Sequence, residues 1–231
     1  MSFNNLGLSP ELKQAIESKG YSDPSEIQQQ AIPSILQGND IMAGAQTGTG
    51  KTAAFALPIL HHLISEKPNN EIRTLVVTPT RELAIQIAEN FTVYSKYNSI
   101  RNTVIFGGVK QGSQTDKLAK GVEILIATPG RLLDLMGQGF ISLKDIGYFV
   151  LDEADRMLDM GFIHDIRKIL NQLPKERQSL FFSATMPKNI IDLSSQILKH
   201  PKRISVDPVS STAETIKQYI YYFLVCVTYL Y

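Results

Sequence analysis

The chain has 231 residues, 43% of them hydrophobic, with 23 Lys and Arg against 22 Asp and Glu and a formal net charge of +1. That length suits one large domain or two small ones with a sizeable core, and the near-neutral balance removes the usual basic signature of a nucleic-acid binder, so any such contact must come from local placement. The single cysteine, Cys226, excludes an internal disulfide and a cysteine-cluster metal site and fits a reducing, intracellular, cytoplasmic setting.

The opening Met1-Ser2-Phe3-Asn4-Asn5 has neither the basic region nor the apolar core of a secretory signal. Ser9-Pro10-Glu11 reads as an N-cap, a first-turn proline and an acidic first turn, and residues 25–36 as a second helix. From residue 40 onward, short β-branched runs alternate with longer helical patterns. The runs are 40–43, 74–78, 103–106, 124–127, 148–151, 179–182 and 203–206; the helix candidates are 50–66, 81–94, 114–120, 130–136, 163–172 and 188–199. Runs of this kind are buried on both faces, as in a parallel sheet covered by helices. The expected fold is one α/β domain with right-handed crossovers, its ligands outside the carboxyl ends of the strands. Polar or glycine residues follow six of the runs, which packing alone does not explain. The adjacent His61 and His62 are expected to point apart as ordinary helix residues, and no histidine repeats at metal-ligand spacing.

The first run leads into Ala45-Gln46-Thr47-Gly48-Thr49-Gly50-Lys51-Thr52 and then a helix. Strand, glycine-bearing loop, Lys-Thr and helix form the context of a phosphate-binding loop. Gly48 and Gly50 permit the tight turn, so that backbone N–H groups and the helix N-terminus converge on an anion. Lys51 would reach the terminal phosphates and the Thr52 hydroxyl would hold Mg²⁺. The fifth run ends in Asp152-Glu153-Ala154-Asp155. Asp152 would hold Mg²⁺ through its water shell, because that ion dehydrates reluctantly. Glu153 would orient or deprotonate an attacking water.

These residues resemble the first RecA-like domain of DEAD-box ATP-dependent RNA helicases, over roughly residues 3–222. Ala45 through Thr52 is similar to motif I, Asp152-Glu153-Ala154-Asp155 to motif II and Ser183-Ala184-Thr185 to motif III. Pro79-Thr80-Arg81-Glu82-Leu83-Ala84 resembles motif Ia, Gly107-Gly108 the glycine doublet, and Thr128-Pro129-Gly130-Arg131 motif Ib. Phe3 and Gly20 through Gln28 resemble the Q motif, with Ser25 and Glu26 where Thr-Pro is usual. The resemblance implies a three-layer RecA-like phosphate-loop domain, with a mainly parallel sheet, over residues 1–208. It implies that Gln28 reads the adenine edge, with Tyr21 or Phe3 stacked on the base, and that ATP and Mg²⁺ are the cofactors. It further implies that Arg81 and Arg131 contact the RNA backbone with Pro79, Thr80, Thr128, Pro129, Gly130 and the N–H groups of Gly107 and Gly108, sequence-independently. Ser183 and Thr185 would couple motif II to RNA.

The family uses a second RecA-like domain that supplies arginine fingers, marked by a His-Arg-x-Gly-Arg-like run; no His is followed by Arg in this chain. Residues 209–231 are expected to be a linker and the truncated or altered start of that second domain. Residues 219–231 carry no charge, but are too few for a membrane span. The expected function is the ATP-binding domain of an RNA-dependent ATPase and helicase, nearly inactive without domain two. The rivals are a non-catalytic RNA- or protein-binding module (or interfering fragment) and a DNA-directed or protein-remodelling ATPase with a similar core.

Overall fold

The computed structural model describes residues 2–66 and 70–206. Within them the apolar runs form seven strands: β1 Ile41–Gly44, β2 Thr74–Val77, β3 Asn102–Ile105, β4 Ile124–Ala127, β5 Tyr148–Leu151, β6 Gln178–Ser183 and β7 Lys202–Ser205. They make one sheet in the order β3-β4-β2-β5-β6-β1-β7. Every pairing among the described strands is parallel, a stricter form of the expected sheet.

Successive strand side chains point to opposite faces, and both faces are covered. Ile41, Ala43, Val76, Ile126, Val150, Leu180 and Phe182 join one buried cluster with α1 (Pro10–Ser18), α2 (Glu26–Leu36), α3 (Lys51–Ser65) and α4 (Arg81–Tyr94). Met42, Leu75, Val77, Leu125, Phe149, Leu151 and Phe181 join the other. There they meet α6 (Pro129–Gly137), α7 (Ala154–Asp159), α8 (Ile163–Leu170) and α9 (Lys188–Ile197), with Leu118 of α5 (Gly112–Ala119) alongside. Two-sided burial is why the strands read as near-continuous apolar runs.

The structure departs from the sequence reading in places. The six-residue α7 was not expected; its turn of helix follows Glu153, whose backbone is left-handed (φ 54, ψ 50). Ser9 has the extended backbone of an N-cap, but its hydroxyl makes no capping bond. The rings of His61 and His62 meet edge-on, 5.6 Å between centroids, where divergence was expected. Asp40 lies just before β1, and its carboxylate accepts hydrogen bonds from the Ser179 and Lys199 N–H groups at 2.8 and 2.7 Å. The expected linker and second-domain start, 209–231, lie outside the described residues.

Register places the functional loops. Gly44 is opposite Ser183, and Val77 is opposite both Leu151 and Ala127. The strand order therefore separates two groups along one carboxyl edge. The phosphate-loop candidate and the acidic turn follow β1 and β5, and Ser183 ends β6. Residues Thr78 onward, Phe106 onward and Thr128 onward follow β2, β3 and β4.

Candidate functional site

The loop 45–50 leaves β1 anchored by the Ala45 N–H on the Ser183 carbonyl, 3.1 Å. Gly48 and Gly50 have φ of 89° and 93°, a region side chains resist, and α3 begins at Lys51. A cavity of about 410 Å³ opens above the loop. Phe3, Tyr21 and Gln28 line it, as do Thr47 through Thr52, Asp152 and Glu153. Gln46 does not; its carbonyl instead accepts the Thr49 hydroxyl at 2.8 Å. Phe3 is 5% exposed and belongs to the core, whereas Tyr21 is 39% exposed, so Tyr21 has the freer face for stacking.

In the cavity the charged groups are buried and close to one another. The Lys51 ammonium has no hydrogen-bond partner and stands 3.9 Å from Asp152 Oδ1. An unpartnered buried ammonium at the mouth of a glycine loop fits an anion, because leaving it unmatched is costly. Asp152 is 2% exposed and accepts the Glu153 N–H at 3.0 Å. Burial pushes its pKa up to about 6; Lys51 opposes that rise and Glu153 adds to it. The Glu153 carboxylate accepts the Thr47 hydroxyl at 3.0 Å on one oxygen and Arg156 Nη1 at 3.2 Å on the other. Gln28 donates from Nε2 to the Gly50 carbonyl at 3.1 Å and accepts the Ser25 N–H at 3.0 Å. That leaves one amide hydrogen and one lone pair for a base edge.

Behind the acidic turn, Asp155 Oδ2 accepts both the N–H and the hydroxyl of Thr185 at 2.9 Å. The Ser183 hydroxyl accepts the Asp155 N–H and donates to the Thr185 carbonyl. Burial alone would raise the Asp155 pKa; the hydrogen bonds from Thr185 and Ser183 outweigh it and hold the group below its usual value. Ser183 and Thr185 thus tie the end of β6 to the helix that follows Glu153. No cluster of three or more His, Cys, Asp or Glu that could hold a metal occurs among the described residues. Thr52 and Asp152 fit Mg²⁺ only as partial ligands, with phosphates and water completing the shell.

The second group borders a cavity of about 480 Å³ lined by Pro79, Arg81, Gly107, Thr128, Gly130 and Arg131, together with Phe106 and Phe162. Arg81 is exposed, with its guanidinium 4.8 Å from the Phe106 ring centroid. Arg131 is turned inward: Nη2 donates to the Val109 carbonyl at 3.0 Å, Nη1 to Gln114 at 3.4 Å, and Nε lies 3.5 Å from Asp134. Thr80 caps α4, its hydroxyl accepting the Leu83 N–H at 3.3 Å. Pro129 is buried in the first turn of α6, and Gly108 lies outside the cavity lining. Sequence reading missed Phe162, Arg156 and the α4 residue Tyr94. Only Tyr94 lay inside an expected element, the helix 81–94, and no site role was read for it.

An all-parallel sheet with a glycine-lysine loop after one strand and an acidic turn after another defines a RecA-like phosphate-loop protein. A profile of the DEAD/DEAH box helicase family matches residues 25–193, and the chain belongs to that family. It is 46% identical over 220 residues to the DEAD-box ATP-dependent RNA helicase RhpA of Helicobacter pylori, covering 95% of this chain and 44% of the relative. It is 45% identical over 218 residues to the ATP-dependent RNA helicase DeaD of Buchnera aphidicola, covering 94% and 36%. The crystal structure of a DEAD box protein from the hyperthermophile Methanococcus jannaschii superposes with a TM-score of 0.83 at 43% identity, over 89% of this chain and 56% of that one. The chain spans less than half the length of these curated relatives.

Proposed function

We propose that this chain is the nucleotide-binding RecA-like domain of an ATP-dependent RNA helicase, taking ATP with Mg²⁺ in the first cavity and the RNA backbone across the second. The observation that carries the reading is Lys51, buried, without a hydrogen-bond partner and 3.9 Å from a buried carboxylate at the glycine loop. ATP phosphates would sit against the loop N–H groups and Lys51, and Gln28 and Tyr21 would take the adenine. Thr52 and Asp152 would hold Mg²⁺, which would neutralise phosphate charge there. Glu153 is the candidate base. The oxygen that accepts the Thr47 hydroxyl keeps a second lone pair for a water, while Arg156 orients the other oxygen. Arg81 and the N–H groups of Gly107 and Gly108 can meet phosphates without reading bases, with Arg131 acting from behind the 107–109 loop. The Asp155–Thr185–Ser183 bonds would couple the two cavities.

Transition-state charge would be met by arginine fingers of a second RecA-like domain, worth ~10³–10⁵ in rate in comparable phosphoryl transfer. The chain alone should therefore bind nucleotide and turn it over barely at all. The test is calorimetric binding of Mg-ADP to the chain and to Lys51→Ala, alongside ATP hydrolysis with and without RNA. Lys51→Ala should weaken ADP about ten- to hundredfold, the range for a charge-assisted hydrogen bond. Equal affinity would sink the site assignment, and strong RNA-stimulated turnover by this chain would sink the dependence on a second domain.

A further inference from the structure

Among the described strands, β3 and β7 are the two edges of the sheet. β7 presents exposed Lys202 and Arg203, charges that discourage a further strand. β3, Asn102-Thr103-Val104-Ile105, carries no charge. In a parallel ladder, alternate residues turn their N–H and C=O to opposite sides. The Arg101 and Ile105 carbonyls accept the Ile124 and Thr128 N–H groups on the β4 side, each at 3.1 Å. The main-chain groups of Asn102, Val104 and Phe106 therefore point away from β4. Gln114 closes the last of these: its Nε2 donates to the Phe106 carbonyl at 3.1 Å, and its Oε1 accepts the Phe106 N–H at 3.3 Å. The other two have no such cover; the Asn102 and Val104 main-chain groups make no hydrogen bond among the described residues. They border a cavity of about 700 Å³, which Ile85 and Val93 of α4 also line. Ile85, Val93 and Val104 are only half-buried. Lys19 and Lys117 line the same cavity, against one acid, Glu89. Both lysines are exposed, and neither makes an ion pair among the described residues.

We propose that the β3 edge is a docking site for an extended, acidic peptide segment of another protein, which adds as a strand beside Asn102 and Val104. Main-chain hydrogen bonds to those two residues hold the segment, as in other strand additions. Its apolar side chains settle against Ile85, Val93 and Val104, and its carboxylates meet Lys19 and Lys117, which sets the choice of partner. Outward N–H and C=O groups in one row select a peptide over a nucleic acid, whose phosphates accept hydrogen bonds but do not donate them. Gln114 already makes at Phe106 the two-way amide contact that the segment continues. The site stands independently of nucleotide binding.

The probe is a short peptide of alternating valine and threonine with glutamates at both ends, and the readout is amide hydrogen exchange of the whole chain followed by NMR. In the free chain the Asn102 and Val104 amides should exchange faster than those of Thr103 and Ile105, which face β4. Saturating peptide should slow exchange at Asn102 and Val104 about tenfold or more, and N-methylating its backbone should abolish the effect. A counterpart with lysines at both ends should bind about three- to tenfold more weakly, and Lys117→Glu should narrow that gap. Val104→Pro removes one outward donor without touching the β4 ladder and should weaken the peptide about tenfold. No slowing at Asn102 and Val104 overturns the docking site, and so does equal binding of the two peptides. If Val104→Pro fails to fold, the N-methylated peptide on the parent chain decides: undiminished binding overturns strand addition. Slowing that appears in the free chain as its concentration rises assigns the edge to a second copy and overturns the proposal equally.

Discussion

On the β5-β6-β1 side of the carboxyl edge, the polar groups hold one another. Lys51 stands by Asp152, Thr47 by Glu153, and Gln28 by Gly50. On the β3-β4-β2 side Arg81 is exposed, and a side chain added at Gly107 would meet nothing within 4 Å. In the first group Glu153 and Gln28 are held by internal hydrogen bonds while Lys51 has none; in the second Arg81 is open and Arg131 is held. The lesson concerns energetics. Internal partners fix side chains in place before a ligand arrives, whereas exposed ones must be ordered by it.

A matched glycine pair breaks the comparison most sharply. Gly50 has φ 93°, and an added Cβ would collide with Gln28 Nε2 and stand 2.9 Å from Ser25 Oγ. Gly50→Ala should cost about 1–3 kcal/mol of stability from the left-handed backbone alone. By displacing Gln28 it should also remove ADP binding measurable by calorimetry. Gly107→Ala should stay within about 0.5 kcal/mol of the parent and keep ADP affinity. Equal damage in urea unfolding from the two variants would erase the proposed difference between the halves.

The acidic turn gives a second, smaller contrast, seen in pH. The Asp152 pKa in the folded chain is about 6, above the ordinary 3.8. The folded state thus holds more protons than the unfolded one between those values. Its stabilising contribution is complete below about 4 and is lost as pH rises through about 6, on the order of 2–3 kcal/mol. Asp155, with its lowered pKa, behaves oppositely: its contribution is present above the ordinary carboxylate range and is lost as pH falls through its folded value. Ionised Asp152 is the form that would hold Mg²⁺, so Mg-ADP affinity should fall about tenfold between pH 7 and pH 5. ADP binding without Mg²⁺ should change less, and Asp152→Asn should flatten the difference. An Mg-dependent pH profile that survives in Asp152→Asn would remove Asp152 from the metal's shell.

How much of this was legible in the sequence follows from what periodicity and motifs encode. The helix 81–94 was read to both of its ends, because Thr80 supplies a capping hydroxyl and the apolar spacing is regular. The strands were read because burial on both faces leaves them almost wholly apolar. The sheet order was not legible: β1 lies beside β6, more than a hundred residues away in the chain, and no local pattern states that pairing. The six-residue α7 was too short to show a period. Motifs named the side chains of the site but not the partners they hold within the fold. Gln28 on Gly50, Glu153 between Thr47 and Arg156, and Arg131 on Val109 are choices among rotamers, made by tertiary packing. Tyr94 ends the expected helix 81–94 and is buried, and spacing carries no sign that it also borders the cavity.

The two arginines sharpen the comparison at the scale of a single charge. A side chain that neutralises a phosphate releases counterions, so its loss lowers the salt dependence of single-stranded RNA binding by about 0.7 in the log–log slope. Arg81 is exposed over Phe106 and should behave so: Arg81→Gln should weaken a short RNA about three- to tenfold, flatten the slope and leave the unfolding midpoint alone. Arg131 is 11% exposed at its side chain and engaged with Val109, Gln114 and Asp134. Arg131→Gln should instead cost about 1–3 kcal/mol of stability by stripping a part-buried carbonyl of its donor. It should loosen RNA binding through the 107–109 loop and leave the slope nearly unchanged. Fluorescence anisotropy across a salt series separates the two behaviours. If Arg131→Gln flattens the slope as much as Arg81→Gln, its guanidinium leaves those partners for RNA, and the second cavity reorganises on binding.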